Sequence, residues 1–240
     1  MYVTLTMARY PTAASWAGMA SMAIFRLPFL FQKKITFYKL LGCGKNGTFD
    51  KTPDLKQWGI LTVHPSLNGI AESDKLQFQK SVYGSFVTRW WKTFKCETWT
   101  IVLEPTESHG LWDGKKVFGD LPKNTGFEGL TAVLTRATIR VNKLKAFWSN
   151  VEGAASGMTT AEGFVTSLGV GEAPWIKQAT FSVWKSKALM KQFAYKMKDH
   201  AEVIKKTRKE NWYKEEMFTR FKVLASYGTL NGHDPLQGLL

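Results

Sequence analysis

Cysteine is nearly absent. The 240 residues contain two, Cys43 and Cys96, too far apart for a CxxC pair. Neither a disulfide framework nor a thiolate metal site is expected, and a reduced, cytoplasmic protein is the default. Acidic residues are few as well, 19 against 33 Lys and Arg, which leaves a net charge of +14. Such an excess serves a solvated Lys-rich face or attraction to anionic groups such as lipid headgroups. Nucleic acid is not an expected partner, because neither zinc-finger spacing nor a ribonucleoprotein aromatic motif is present. No apolar run is clean enough to read as a leader or a span. Thr12 to Phe31 carries Arg26 and Pro28, follows a strand-like Tyr2–Arg9 and has no Lys/Arg cluster ahead of it. Trp16, Met19, Met22 and Phe25 at three-to-four spacing predict a buried amphipathic helix there instead. No Ser-His-Asp order, paired catalytic carboxylates or HExxH stands out. Gly169-Val-Gly-Glu-Ala-Pro174 lacks the third glycine of a dinucleotide fingerprint and is expected to be a tight turn between antiparallel strands.

What the chain does have is aromatic residues, 14% with ten Trp, within an ordinary globular balance of 44% hydrophobic and 22% charged residues. A core of that kind suits a large apolar or flat ligand. It also has an internal repeat. Phe37-Tyr-Lys-Leu-Leu-Gly-Cys-Gly44 is matched by Phe164-Val-Thr-Ser-Leu-Gly-Val-Gly171. Each is followed by a β-rich run (Trp58 to Val63, Ala179 to Trp184), then a helical segment (about Leu67 to Trp91, Lys185 to Asn211). Each half closes with a strand and a glycine-bounded turn, Trp99 to Gly114 and Phe218 to Gly232. The openings, Thr4 to Arg9 and Leu134 to Arg140, both lead into helices. A longer first-half loop, Lys45 to Gln57, is expected to account for the uneven spacing of the two halves.

The order strand-helix-strand-strand-helix-strand, read twice, predicts an α+β protein. The expected fold is a tandem duplication of ferredoxin-like βαββαβ units in a dimeric-α/β-barrel-like arrangement within one chain. The halves are expected at 1–118 and 131–240, joined by a linker at 119–130.

Of four histidines, His64 and His109 read as loop or turn residues and His233 as part of the tail. His200 alone falls inside a long helix, on a stripe with Phe193, Met197 and Ile204. Such a histidine is either a satisfied core residue or, neutral in an apolar pocket, a metal ligand. Arg136, Arg140 and Arg220 fall on strands. Each needs a partner: an ion pair with Glu172, Glu215 or Glu216, or an anionic ligand. Lys205 to Lys209 reads as a solvated helix end or a membrane-facing patch.

In order along nearly the whole chain, several segments resemble the spheroidene monooxygenase family. They are Phe37 to Gly44, Trp99-Thr, Gly110-x-Trp-Asp-Gly114, Val133 to Arg140, Phe147-Trp148, Leu168 to Pro174, Gln178 to Ser182, His200-Ala-x-x-Ile204, and Trp212 ahead of Arg220-Phe221. The resemblance implies a haem b protein and an iron-dependent monooxygenase of carotenoid biosynthesis, placing a keto group near the end of an acyclic carotenoid. It also implies kinship with dimeric α/β-barrel haem proteins such as chlorite dismutases and aldoxime dehydratases. On it, His200 becomes the iron ligand, Phe181, Trp184, Met197 and Ile204 the cofactor pocket, and Arg136 or Arg220 a catalytic or propionate-binding cation. Electrons then come from a separate ferredoxin or reductase, since no flavin or nicotinamide motif is visible. Peripheral membrane contact and self-association are further expectations. The chain departs from the family in being Lys-rich and in its first-half helix. The rival expectations are an aldoxime dehydratase-type activity on a small nitrogenous substrate, or a non-catalytic haem-binding barrel.

Overall fold

The computed structural model describes residues 1–45, 52–66, 74–196, 206–207 and 209–240. In chain order the elements are β1 (Tyr2–Arg9), α1 (Ser15–Ile24), α2 (Arg26–Leu30), β2 (Phe37–Gly44), β3 (Pro53–His64), α3 (Lys75–Thr93) and β4 (Glu97–Gly110). There follow β5 (Thr131–Ile139), α4 (Leu144–Ser156), β6 (Phe164–Ala173), β7 (Lys177–Trp184), α5 (Lys187–Lys196) and β8 (Tyr213–Gly228). The α+β class and the doubled strand-helix order are as expected. The chain divides into two compact units: residues 1–43, 54–104 and 224–240 form unit 1, and 44–53 with 105–223 form unit 2.

In unit 1 the strands run in the order β4-β1-β3-β2, with β1 antiparallel to both of its neighbours. Alternation sends Thr4, Thr6 and Ala8 to the face that carries the helices and Val3, Leu5 and Met7 to the other. The helix-bearing face is closed by a cluster of Tyr2, Phe25, Phe29, Phe78, Tyr83 and Trp91 with their neighbours. Beneath it runs a buried polar chain. Tyr83 Oη is hydrogen-bonded to Thr4 Oγ1 at 2.7 Å and Thr6 Oγ1 at 2.6 Å, Thr6 to Thr100 at 2.7 Å, and Thr4 to Thr62 at 2.6 Å. Thr62 in turn meets His64 Nε2 at 2.7 Å, and the His64 ring stacks on Tyr2 with centroids 4.4 Å apart. Buried hydroxyls that are fully paired rigidify a core, and removing one member strands the others. Tyr83→Phe is therefore expected to cost about 1–3 kcal/mol, since Thr4 and Thr6 each lose a partner. Chemical unfolding of the variant beside the wild type measures it.

Unit 2 has the same order, β8-β5-β7-β6, with β5 antiparallel to β7 and β8. The likeness of the units reaches single residues. Arg9, closing β1, donates to Asp54 at 3.1 Å; Arg136, near the end of β5, pairs with Glu172 at 3.4 Å. The Glu97 carboxylate accepts the backbone N–H groups of Asn231 at 3.0 Å and Gly232 at 2.6 Å. The Glu215 carboxylate accepts those of Asp113 at 3.0 Å and Gly114 at 2.7 Å. Gly110 and Gly228 both adopt φ 85°, and a Cβ there would meet Glu216 O at 2.1 Å and Thr98 O at 2.2 Å. Only glycine fits either place.

Several expectations are corrected. Gly169 and Gly171 lie inside β6, not in a turn; the turn falls at 174–176, where Trp175 takes φ 62°. His109 belongs to strand β4 rather than to a turn. His64 ends strand β3 and is buried. β3 starts at Pro53, so the preceding connection is shorter than Lys45 to Gln57. The stretch from Thr12 to Phe31 forms two helices, not one, and its buried stripe is Ala17, Gly18, Ser21, Phe25 and Phe29 rather than Trp16 and Met19. Small residues make that stripe the inner one. A Cβ on Gly18 would lie 2.5 Å from Trp58 Nε1 and 3.1 Å from the Tyr10 ring, so only glycine lets α1 approach β3 this closely.

Candidate active site on the sheet of unit 2

A strand hydrogen-bonded on both sides and roofed by helices should expose nothing on the helix side. β5 departs from this. Val133 at one end is buried with Trp184, Met158 and, from α5, Met190 and Phe193. Ile139 at the other end is buried with Phe147 and Trp148 of α4 and with Trp212. Between them, on the same face by alternation, Thr135 is exposed. Val133 to Ile139 spans about 20 Å at strand rise; α5 packs over one end of the sheet, α4 over the other, and the strip between them is exposed at Thr135, while Ala137, Thr180 and Ser182 beside it are buried.

The register defines the floor of this strip. Thr135 lies opposite Thr180 of β7 and Phe218 of β8, and Thr180 lies opposite Gly169 of β6. The neighbouring rows add Ser182 and Ser167 on one side, Ala137, Gln178 and Gly171 on the other. Apart from Phe218 and Gln178 these residues are small or hydroxyl-bearing, as are Thr4, Thr6, Thr62 and Thr100 in unit 1, where aromatic rings pack over them. His109 stacks on Phe218, ring centroids 5.3 Å apart, and brings an imidazole to the β4 end of the strip.

Flanking the strip is a buried charge cluster. Glu107, Lys187 and Arg220 are 1%, 3% and 6% exposed. Glu107 Oε2 receives the Arg220 guanidinium. Its Oε1 accepts Lys187 Nζ at 3.1 Å, the Thr125 N–H at 2.7 Å and the Thr125 hydroxyl at 2.8 Å. Burial alone would raise the Glu107 pKa, but the Arg220, Thr125 and Lys187 hydrogen bonds override it and hold the carboxyl at about 2. Two cations thus share one carboxylate out of water. Arg220 also lies over the Phe218 ring, at 4.7 Å, and its Nε is buried with no hydrogen-bond partner among the described residues.

Arg136 is engaged differently. Adjacent to Thr135, it faces the opposite side of the sheet. Its guanidinium pairs with Glu215, with Glu172 at 3.4 Å and with Asp113 at 3.6 Å, 5.6 Å from the Trp112 ring. The Trp112 indole donates to Glu172 at 2.7 Å. Of the partners open to Arg136 in the sequence, Glu172 and Glu215 are therefore the ones used. Burial would raise the Glu215 pKa, but the Gly114 and Asp113 N–H groups and Arg136 bring it below the usual carboxylate range. Arg140 is exposed beyond β5.

The other anticipated residues divide likewise. Trp184 shares the helix-bearing face with Thr180 and Ser182 and stacks on Phe193, centroids 5.2 Å apart. Phe181 lies on the opposite face, across from Leu134 and Leu168. Met197, His200 and Ile204 lie outside the described residues. Thr135, Thr180 and Glu107 carried no sequence signal of function: a threonine in a strand is ordinary, and only its exposure in a central strand marks it. A separate depression of about 320 Å³ in unit 1, lined by Arg9, Tyr10, Lys56, Lys95 and Glu97, contains none of the anticipated site residues. Among the described residues no three His, Cys, Asp or Glu side chains gather as a metal site, and no helix is long and apolar enough to cross a membrane.

This α+β architecture is shared with a solved aldoxime dehydratase in complex with butyraldoxime, at a TM-score of 0.62 over 95% of this chain and 82% of that one, with 9% identity. At that identity the likeness is one of fold. No family model matches the chain. Sequence comparison is more specific. The spheroidene monooxygenase of Rhodobacter capsulatus is 30% identical over 238 residues, 97% of this chain and 94% of that protein. The protein of the same name from Cereibacter sphaeroides is 32% identical over 219 residues, 91% of this chain but 65% of its own length. The chain belongs to the spheroidene monooxygenase family.

Proposed function

We propose that the protein is a haem-dependent monooxygenase that introduces a keto group near the end of an acyclic carotenoid. The observation that carries the reading is the open strip at Thr135, floored by small residues and bordered by a buried cluster with excess positive charge, in a chain of this family. A planar anionic group would meet Thr135 and Gly169 on this face, with Arg220, whose Nε is without a hydrogen-bond partner among the described residues, as a cation at its edge. His200 is the residue proposed to hold the iron of haem b. It lies on the sequence continuation of α5, whose Phe193 already packs on Trp184 over this face. Met197 and Ile204, which share a sequence stripe with His200, are proposed to line the cofactor with it, and Arg136 on the far face would act only by holding β5 in place.

When bound, the haem iron supplies dioxygen activation. The chain holds the group, excludes water and aligns the substrate end. Two hydroxylations of one carbon give a hydrated ketone, which loses water. Each would consume one dioxygen, two protons and two electrons and release one water, the electrons delivered by a separate ferredoxin or reductase. The substrate lives in a bilayer, so a peripheral, cytoplasmic enzyme with a basic surface suits it. We further propose that the halves are copies of one βαββαβ unit, supported by the paired Arg9/Arg136, Glu97/Glu215 and Gly110/Gly228 arrangements.

Hemin titration of purified protein tests the reading. The wild type is expected to gain an intense violet absorption band with about one equivalent of hemin, and His200→Ala to lose or shift it. With an acyclic carotenoid in detergent micelles, dioxygen and a reduced ferredoxin, the holoprotein should yield a ketone. Protein that stays colourless with hemin sinks the proposal.

A further inference from the structure

From Ser15 to Phe31 the chain has a single charged residue, Arg26. α1 and α2 follow one another across Phe25, itself in helical conformation. Their inner stripe, Ala17, Gly18, Ser21, Phe25 and Phe29, is buried. A solvent-facing outer stripe should then be polar. Here it is Trp16 and Met19, each 60% exposed, with Leu27 at 62%, Leu30 at 70% and Phe31 at 82%. Phe86 of α3, half exposed and edge-on to Phe25, belongs to the same unit. Exposed side chains of this size are normally scattered singly; gathered along two consecutive helices they mark a surface that something covers.

The charges nearby are of one sign. Arg26, Lys33 and Lys34 are exposed, and no acidic residue precedes Asp50 in the sequence. We propose that this face of α1 and α2 docks on an anionic lipid bilayer, with Trp16, Leu27, Leu30 and Phe31 entering the headgroup–acyl boundary and the three cations meeting lipid phosphates. A helical face apolar in the middle, basic at the edge and carrying a tryptophan is what such a boundary retains. A second copy of the chain is the less suitable occupant: a two-fold contact would set Arg26, Lys33 and Lys34 against their own copies, in a segment that carries no carboxylate before Asp50. The docking stands on the patch; its use, delivering a bilayer-resident substrate, rests on the proposed function.

The test is co-sedimentation of the full chain with phosphatidylcholine vesicles with and without phosphatidylglycerol. The wild type is expected to bind the phosphatidylglycerol vesicles and to be released by salt. The Leu30→Glu/Phe31→Glu double variant should partition about 100-fold more weakly, each lost apolar anchor giving roughly tenfold. Lys33→Glu/Lys34→Glu should remove the preference for phosphatidylglycerol. All four side chains are exposed, so the variants should melt as the wild type does, and should keep activity on carotenoid in micelles while losing it on carotenoid in vesicles. Wild-type protein that ignores vesicles, a double variant that still binds them, or a concentration-dependent dimer that Leu30→Glu/Phe31→Glu dissolves overturns the proposal. Wild-type protein inactive in micelles yet bound to vesicles counts against the proposed reaction and leaves the docking standing.

Discussion

Glu107→Ala is expected to lower the unfolding free energy by about 3–5 kcal/mol at neutral pH, the cost of leaving buried cations without their counter-charge. Lys187 and Arg220 are both buried and both bonded to this one carboxylate, so its removal strands two like charges in a low-dielectric interior. A triple replacement of Glu107, Lys187 and Arg220 by Met should be less damaging than the single change, because no charge is left unpaired. The same carboxylate sets an acid limit. Its pKa is about 2 in the folded protein against an ordinary 4.5. Between those values the unfolded chain binds a proton that the folded one does not. The stabilisation is therefore complete above about pH 4.5 and disappears as pH falls toward 2, worth about 3 kcal/mol. His64 acts at higher pH. Burial lowers its pKa from 6.5 to about 4, so its contribution is present above pH 6.5 and is lost as pH falls through 4. Urea midpoints measured at successive pH values should drop in two stages, and Glu107→Ala should shrink the second, to which the lowered Glu97 and Glu215 carboxyls also contribute. A Glu107→Ala protein as stable as the wild type at pH 7 would remove the cluster from the account of the fold.

The doubled βαββαβ order was legible because hydrophobic periodicity and glycine-bounded turns are local signals. The twin Leu-Gly-x-Gly runs and the twin terminal turns sit at the same places in both units. The role of those glycines was not legible. Gly169 looks like a turn residue in sequence, and only the register that sets it opposite Thr180 shows it as part of a strand with no side chain to fill the floor. For Arg136 and Arg220 the sequence demanded a partner for each but not the choice. Arg136 found Glu172 and Glu215 across the sheet, whereas Arg220 found Glu107, which no local pattern connects to it. Trp16 and Met19 were misplaced because helical spacing fixes which residues share a stripe, not which stripe turns inward. That depended on Gly18 meeting Trp58, a contact between residues far apart in sequence. The exposure of Thr135 is of the same kind: it depends on the register of β5 between β7 and β8 and on what packs over that sheet, and no local pattern announces it.

Thr135→Trp separates a functional strip from a packing gap. Tryptophan is a good strand residue, and Thr135 is exposed. The variant should therefore fold, with a melting temperature within about 4 °C of the wild type, the shift that roughly 1 kcal/mol produces in a chain of this size. If the strip receives a flat cofactor, an indole standing on its floor fills the space between Phe218 and Thr180. Hemin binding should then weaken at least about tenfold, and ketone formation should fall by about 100-fold or more, since a misplaced reacting centre loses rate steeply. Thr135→Ser, which keeps the hydroxyl and adds no bulk, should leave both near wild-type values. The two substitutions differ in volume and share a place in the sheet, so a loss confined to the larger one reads out occupancy of the strip. A Thr135→Trp protein that is stable, takes up hemin as the wild type does and turns over carotenoid at the same rate would show that the bound group sits elsewhere, and the site would have to be sought away from β5.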